Sequence, residues 1–205
     1  MTPSYRTVIE RETCVYTSCY CEENVWKLCE ALKNRCDVIN IDDYFVVFVS
    51  NGDKCVPIWM QRAGKPSESY LCVWDYHVFL VHKLSSIAYV YDLDTVLPFP
   101  TEFTQYFSFA LKDNNSLRHI KYHRFYRVIR AAEYLDKFAS DRSHMKNPDD
   151  TWMMPPPQYE CIKSSDHISN LNEFISMNKE LNYGKVMTSD EFKTFFNFNS
   201  LTNDI

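Results

Sequence analysis

Cys21, His77 and Asp92 are residue types that together carry out nucleophilic acyl chemistry. Cys21 lies immediately before Glu22 to Lys33, where Val25, Trp26, Cys29 and Leu32 keep the spacing of one helix face. Backbone donors and the positive end of a helix favour a thiolate at such a place, which makes Cys21 a candidate nucleophile. Cysteines also serve as small buried apolar residues, so position alone leaves both readings open. The segment Leu71 to His82 is aromatic and β-branched, Lys83 to Ser86 can turn, and Ile87 to Asp94 can return. With His82 opposite Ile87, the same antiparallel register sets His77 opposite Asp92 and Asp75 opposite Asp94 on one sheet face. A one-residue slip would separate those faces. In this arrangement His77 takes the Cys21 proton and returns it to a departing amine or ammonia, while Asp92 orients the imidazole. A purely structural polar pair is the competing reading, and Asp94 competes with Asp92 for His77.

The elements that must position these groups follow from apolar period and turn chemistry. Tyr44 to Val49 reads as a strand, Asn51-Gly52 as a turn and Cys55 to Met60 as the returning strand, with Pro57 marking an edge. Pro98 and Pro100 stop the second hairpin, and Thr101 can cap a helix holding Phe103, Tyr106, Phe107 and Ala110. Asp113 to Ser116 reads as a polar loop, His123 to Ile129 as a strand and Ala131 to Ala139 as a helix. Asp141 to Gln158 is polar and ends near Pro155-Pro156-Pro157, which suits a long loop packed over the domain. Leu171, Phe174 and Ile175 resume an apolar pattern, and Thr188 to Glu191 has capping-box spacing ahead of Phe192, Phe195 and Phe196. With neither repeats nor a clear linker, a single α/β or α+β domain over residues 1–205 is expected.

Composition narrows the function classes. Hydrophobic residues are 45% of the 205 and the aromatics are abundant, which suits a folded interior rather than low-complexity disorder. A net charge of −5 without a long basic tract argues against a dedicated nucleic-acid binder. No apolar run approaches the roughly 20 residues that cross a bilayer, and Thr2 to Glu12 lacks the apolar middle of a secretory signal. A soluble intracellular protein is the expectation. The eight cysteines, at 14, 19, 21, 29, 36, 55, 72 and 161, are too dilute for a disulfide scaffold. They form no two CxxC pairs, so most read as thiols and a structural zinc site is disfavoured.

Three blocks carry a more specific signal: Cys19-Tyr20-Cys21-Glu22-Glu23-Asn24-Val25-Trp26, Trp74-Asp75-Tyr76-His77-Val78 and Tyr91-Asp92-Leu93-Asp94-Thr95-Val96-Leu97-Pro98-Phe99-Pro100. Together with Phe138 to Met145 and Leu171 to Met177, they resemble the protein N-terminal glutamine amidohydrolases, the WDYHV-motif family, over most of the chain. The resemblance implies a monomeric papain-like α/β hydrolase, with an antiparallel sheet packed against helices. It implies conversion of an N-terminal glutamine of a protein or peptide to glutamate, with release of ammonia and no peptide cleavage. It assigns the nucleophile to Cys21, the catalytic histidine to His77 and the orienting aspartate to Asp92, and leaves Cys19 outside the chemistry. It also implies action in cytoplasm and nucleus, ahead of arginylation in the pathway that degrades proteins by their N-terminal residue. No metal or organic cofactor, nucleic acid or membrane partner is called for.

On this reading Cys21 attacks the glutamine side-chain carbonyl, ammonia leaves with a proton from His77, and water activated by His77 hydrolyses a thioester. The Cys21 backbone N–H is a candidate oxyanion donor. Glu22, Glu23, Asp75 and Asp94 are candidates to pair with the substrate α-ammonium, although Glu22 and Glu23 also suit the positive end of a helix. Trp74 and Tyr76 read as packing before cleft walls, and His144 as support of a loop before direct chemistry. His82, His119, His123 and His167 stay outside the candidate site. Asparagine, one methylene shorter than glutamine, would be a poor substrate. A thiol protease or transferase, and a non-catalytic module that binds peptide N-termini, are the alternatives.

Overall fold

The computed structural model describes residues 9–35 and 39–197, so Cys36 lies outside the described residues. Its centre is an antiparallel sheet ordered β6-β5-β4-β1-β7-β8, built from β1 (Tyr44–Ser50), β4 (Tyr76–Lys83), β5 (Ala88–Tyr91), β6 (Thr101–Glu102), β7 (Phe125–Arg130) and β8 (Lys185–Met187). Strands β2 (Val56–Ile58) and β3 (Cys72–Trp74) form a separate pair. The helices are α1 (Cys21–Lys33), α2 (Phe103–Tyr106), which runs on into a π turn over Phe107–Leu111, α3 (Ala131–Lys137), α4 (Leu171–Ile175) and α5 (Ser189–Phe196).

Alternate residues of β1 and β4 enter two cores, which is why both strands read as nearly unbroken apolar runs. Val46, Phe48, Val78 and Leu80 meet Val25, Leu28, Cys29 and Leu32 of α1, with Tyr134 of α3 and Phe174 of α4. Val47, Val49, Phe79 and Val81 face Phe103 of α2 and Phe192 and Phe196 of α5. The sheet is thus covered on both sides, the α/β arrangement of antiparallel sheet and helices expected of a papain-like hydrolase. The capping box forms as expected: the Thr188 side chain accepts from the Glu191 N–H, and the Glu191 carboxylate accepts from the Thr188 N–H. Among the described residues no helix is long and apolar enough to cross a membrane, and seven cysteines are free thiols.

Three local expectations are corrected. Strand β1 does not pair with the segment after Asn51-Gly52; its two edges are taken by β4 and β7, and β2 turns away to β3. The Asn51 side chain redirects the chain by donating to the carbonyls of Cys55, Lys121 and His123 and accepting from the Cys55 N–H. The segment from Leu71 to His82 is two strands, broken where the Asp75 carboxylate takes the Tyr76 N–H that a ladder would use. Thr101 belongs to β6 and its hydroxyl donates to the Pro98 carbonyl, so it does not cap α2.

The β4-β5 register also differs from expectation. The tight turn is Leu84 to Ile87, closed by the Leu84 N–H on the Ile87 carbonyl, so His82 faces Tyr89 and Leu80 faces Tyr91. The offset from a His82–Ile87 pairing is two residues, and an even slip keeps every side chain on its face.

Candidate active site

Cys21 is the first residue of α1, and local polar contacts hold the turn before it. The Asn24 side chain accepts the Thr17 N–H and donates to the Thr17 carbonyl, both at 2.8 Å, while Cys19 takes a left-handed φ of 68°. On the other side the Tyr134 hydroxyl donates to the Glu22 carbonyl at 3.1 Å. The first turn of α1 is therefore clamped from both flanks, and Cys21 is held with only 8% exposure at the wall of a cleft of about 410 Å³. Trp74, Asp75, Tyr76, Asp94, His144 and Ile175 contribute to the same cleft.

His77 enters from the start of β4, fully buried, and its Nε2 lies 3.0 Å from Asp92 Oδ1. The expected partnership is present, although Asp92 sits just past the end of β5 rather than at a ladder position opposite His77. Asp92 is saturated with donors. Its Oδ1 also accepts the Asp94 N–H at 2.9 Å, and its Oδ2 accepts from Gln61 Nε2 at 2.9 Å and from the Tyr106 hydroxyl at 2.8 Å. Trp74 stacks on the imidazole, with ring centroids 5.3 Å apart and planes 17° from parallel. His77 Nδ1, the nitrogen not used by Asp92, has no hydrogen-bond partner among the described residues.

The electrostatics follow from this enclosure. Burial alone would raise the Asp92 carboxyl, but His77, Gln61 and the Asp94 N–H bring it down to about 2. Burial alone would lower His77, but Asp92 overrides it and the imidazole is raised above its ordinary 6.5. The Cys21 thiol is pushed well above its ordinary value by burial and by the charges of Glu22 and Asp94, against a smaller opposing effect of the Val78 backbone donor. Burial and the acidic neighbours thus oppose the thiolate that the helix start favours.

The acidic candidates separate by their contacts. Glu23 is fully buried and both its oxygens are held by Arg142, at 2.9 and 2.8 Å, so it braces α1 against the loop after α3. Glu22 is also enclosed: Oε2 accepts from the Tyr76 hydroxyl at 2.9 Å and lies 3.7 Å from Cys21 Sγ, while Oε1 lies 3.5 Å from His144 Nε2. Tyr76 and His144 therefore line the cleft and meet Glu22 there. Asp75 is exposed on the cleft rim, and Asp94 is 8% exposed on its wall. Gln61 and Tyr106, which hold Asp92, gave no signal in the sequence: one follows a short strand and the other reads as an apolar helix position.

His77, Asp92 and Asp94 bring possible ligand atoms within 4.8 Å of one another. A metal ion there would have to displace donors from Asp92, whose two oxygens already accept four hydrogen bonds. The geometry suits an imidazole oriented by a saturated carboxylate.

A family model described as N-terminal glutamine amidase matches residues 16–196. The protein N-terminal glutamine amidohydrolases of Bos taurus and Homo sapiens are each 49% identical to this chain over 183 residues, spanning 89% of it and 86% and 87% of their own lengths. The Danio rerio protein of the same name is 45% identical over 188 residues, 89% of each chain.

Proposed function

The chain belongs to the N-terminal glutamine amidase family, and on that footing we propose that it deamidates the N-terminal glutamine of proteins or peptides through Cys21, His77 and Asp92. The observation that carries the residue assignment is the His77–Asp92 pair, whose saturated carboxylate fixes one imidazole nitrogen and leaves the other unpartnered.

In the mechanism, His77 Nδ1 accepts the Cys21 proton as Sγ attacks the side-chain carbonyl carbon of glutamine. The oxyanion forms beside the Cys21 N–H, a donor in the first turn of α1. The imidazolium, stabilised by Asp92, gives its proton to the nitrogen as the C–N bond breaks, and ammonia leaves a thioester on Cys21. Water then loses a proton to His77 as it attacks the thioester, and the returning proton restores the thiol with release of an N-terminal glutamate. In this mechanism proton removal accompanies attack. The product is a substrate for arginylation, which would set the reaction in the N-degron pathway of cytosol and nucleus.

The test is time-resolved mass spectrometry of a Gln-starting, C-terminally amidated peptide, with ammonia measured in parallel. The expected result is a Glu-starting peptide and matching ammonia with the wild-type protein, and neither with Cys21→Ala. Peptide fragments would instead indicate protease chemistry, incorporation of an added amine would indicate transglutamination, and binding without turnover would indicate a recognition module.

A further inference from the structure

We propose that Asp94 is the receptor for the α-ammonium of the substrate, the group that restricts the site to a chain-terminal glutamine; this rests on the amidase reading above.

The four acidic residues near Cys21 are not equivalent. Glu23 has both oxygens committed to Arg142, and Glu22 is sealed behind Cys21, Tyr76 and His144 with no exposed surface. Asp75 stands in open solvent at the rim, where water screens its attraction for a cation. Asp94 alone of the four combines burial with access: more than nine-tenths of it is covered, yet it forms part of the cleft wall. Its Oδ1 accepts the Tyr16 hydroxyl at 2.6 Å, and no described residue donates to Oδ2. Arg62 is close, with its backbone N–H on the Asp94 carbonyl and its guanidinium over the Tyr16 ring at 5.7 Å, but no ion pair joins it to the Asp94 carboxylate among the described residues.

Asp94 is placed by the same group that places the base. Asp92 Oδ1 receives both His77 Nε2 and the Asp94 N–H, so imidazole and receptor are held in one frame. An isolated bridge between Gln61 and Thr95, and the Thr95 hydroxyl on the Met60 carbonyl at 2.7 Å, pin the loop that follows. An Asp94 oxygen lies within 4.8 Å of a His77 ring nitrogen. In an extended glutamine the side-chain amide carbon and the α-nitrogen are four bonds, about 5 Å, apart. A glutamine whose amide carbon sits beside His77 can span that separation and set its ammonium on Asp94, whereas asparagine falls short by about one bond length.

The electrostatics agree with a cation-binding role for Asp94. Burial raises the Asp94 carboxyl, Asp92 adds to this, and His77, Tyr16 and Arg62 offset only part of it. An ammonium on Oδ2 supplies the missing counter-charge. An internal glutamine offers an amide N–H there instead and leaves the carboxylate without a cation.

The test compares two substrates on full-length wild type, Asp94→Asn and Asp75→Asn: a Gln-starting peptide and the same peptide with the α-amine replaced by hydrogen. Wild type is expected to favour the amine in kcat/KM by on the order of 10²-fold. Asp94→Asn is expected to bring that ratio to within about threefold of unity by losing the amine substrate alone, and Asp75→Asn to preserve it. Turnover of the des-amino peptide reports that Asp94→Asn is folded and that His77 still works. Equal losses on both substrates, or collapse of the ratio in Asp75→Asn, would overturn the assignment. If wild type releases ammonia from neither peptide, the amidase reading fails on its own. Calorimetric binding to Cys21→Ala and Cys21→Ala/Asp94→Asn then decides the receptor: amine-dependent affinity lost with Asp94 sustains it, and equal affinity for the two peptides overturns it.

Discussion

Replacing Asp92 by Asn removes one charge from the enclosed His77–Asp92 pair at constant side-chain size. The carboxyl sits at about 2 against an ordinary 3.8 despite full burial, so its coupling to His77 and the other donors outweighs the cost of burial by about 2 kcal/mol. The stabilisation that His77 gives Asp92 is matched by what Asp92 gives the imidazolium, the species formed as the thiol is deprotonated. Its loss lowers kcat/KM by on the order of 10²- to 10⁴-fold. The sign of the pH effect follows from the same pair. With a neutral thiol, activity rises as pH climbs through the His77 value, because imidazolium cannot accept the Cys21 proton. In wild type Asp92 holds that limb above 6.5; without the carboxylate, burial dominates and the limb falls below 6.5. The fold should survive, since Gln61 can turn its unpartnered Oε1 toward the new amide and Tyr106 can accept instead of donate. The assay is ammonia release from a Gln-starting peptide between pH 5 and pH 9, on the order of ten points per variant, with kcat/KM reporting the free enzyme. An acid limb that does not move between the two proteins would refute the reasoning. A wild-type profile flat from about pH 5 would do the same, since it would mean a preformed thiolate.

Two further perturbations probe the frame around the nucleophile. Arg142→Met leaves Glu23 charged and enclosed, and should cost roughly 3–5 kcal/mol in urea unfolding; adding Glu23→Gln should recover part of that loss. Cys19→Ser, at an exposed and unpaired thiol on the cleft, should leave turnover within about twofold of wild type, and abolished activity would move the nucleophile to Cys19.

The legible features were those with local causes. The apolar spacing of Val25, Trp26, Cys29 and Leu32 makes α1 amphipathic and sets Cys21 at its start, and Leu28 joins them in the core. Thr188 and Glu191 cap α5 as their spacing requires. Even the misplaced β4-β5 register kept His77 and Asp92 together, because side chains alternate with period two and the offset was two residues. The first hairpin failed for the complementary reason: a strand buried on both faces carries no mark of its partners, and β1 takes β4 and β7 rather than the nearest apolar run.

Sequence by itself determined the α/β class, the family and the three residues on which the proposed chemistry rests. Helix and strand periods are local, and reactive side chains are few enough for their surroundings to single them out. Only the tertiary structure decided how those residues are tuned. The donors on Asp92 come from Gln61 and Tyr106, Glu23 is claimed by Arg142, and Glu22 meets Tyr76 and His144. These partners lie far apart along the chain, and burial, which makes their charges count, exists only once both faces of the sheet are covered. The same enclosure opposes the thiolate expected at Cys21 and separates Asp94 from the other three acids by its mix of burial and access, because solvent access is a property of the folded surface rather than of residue type.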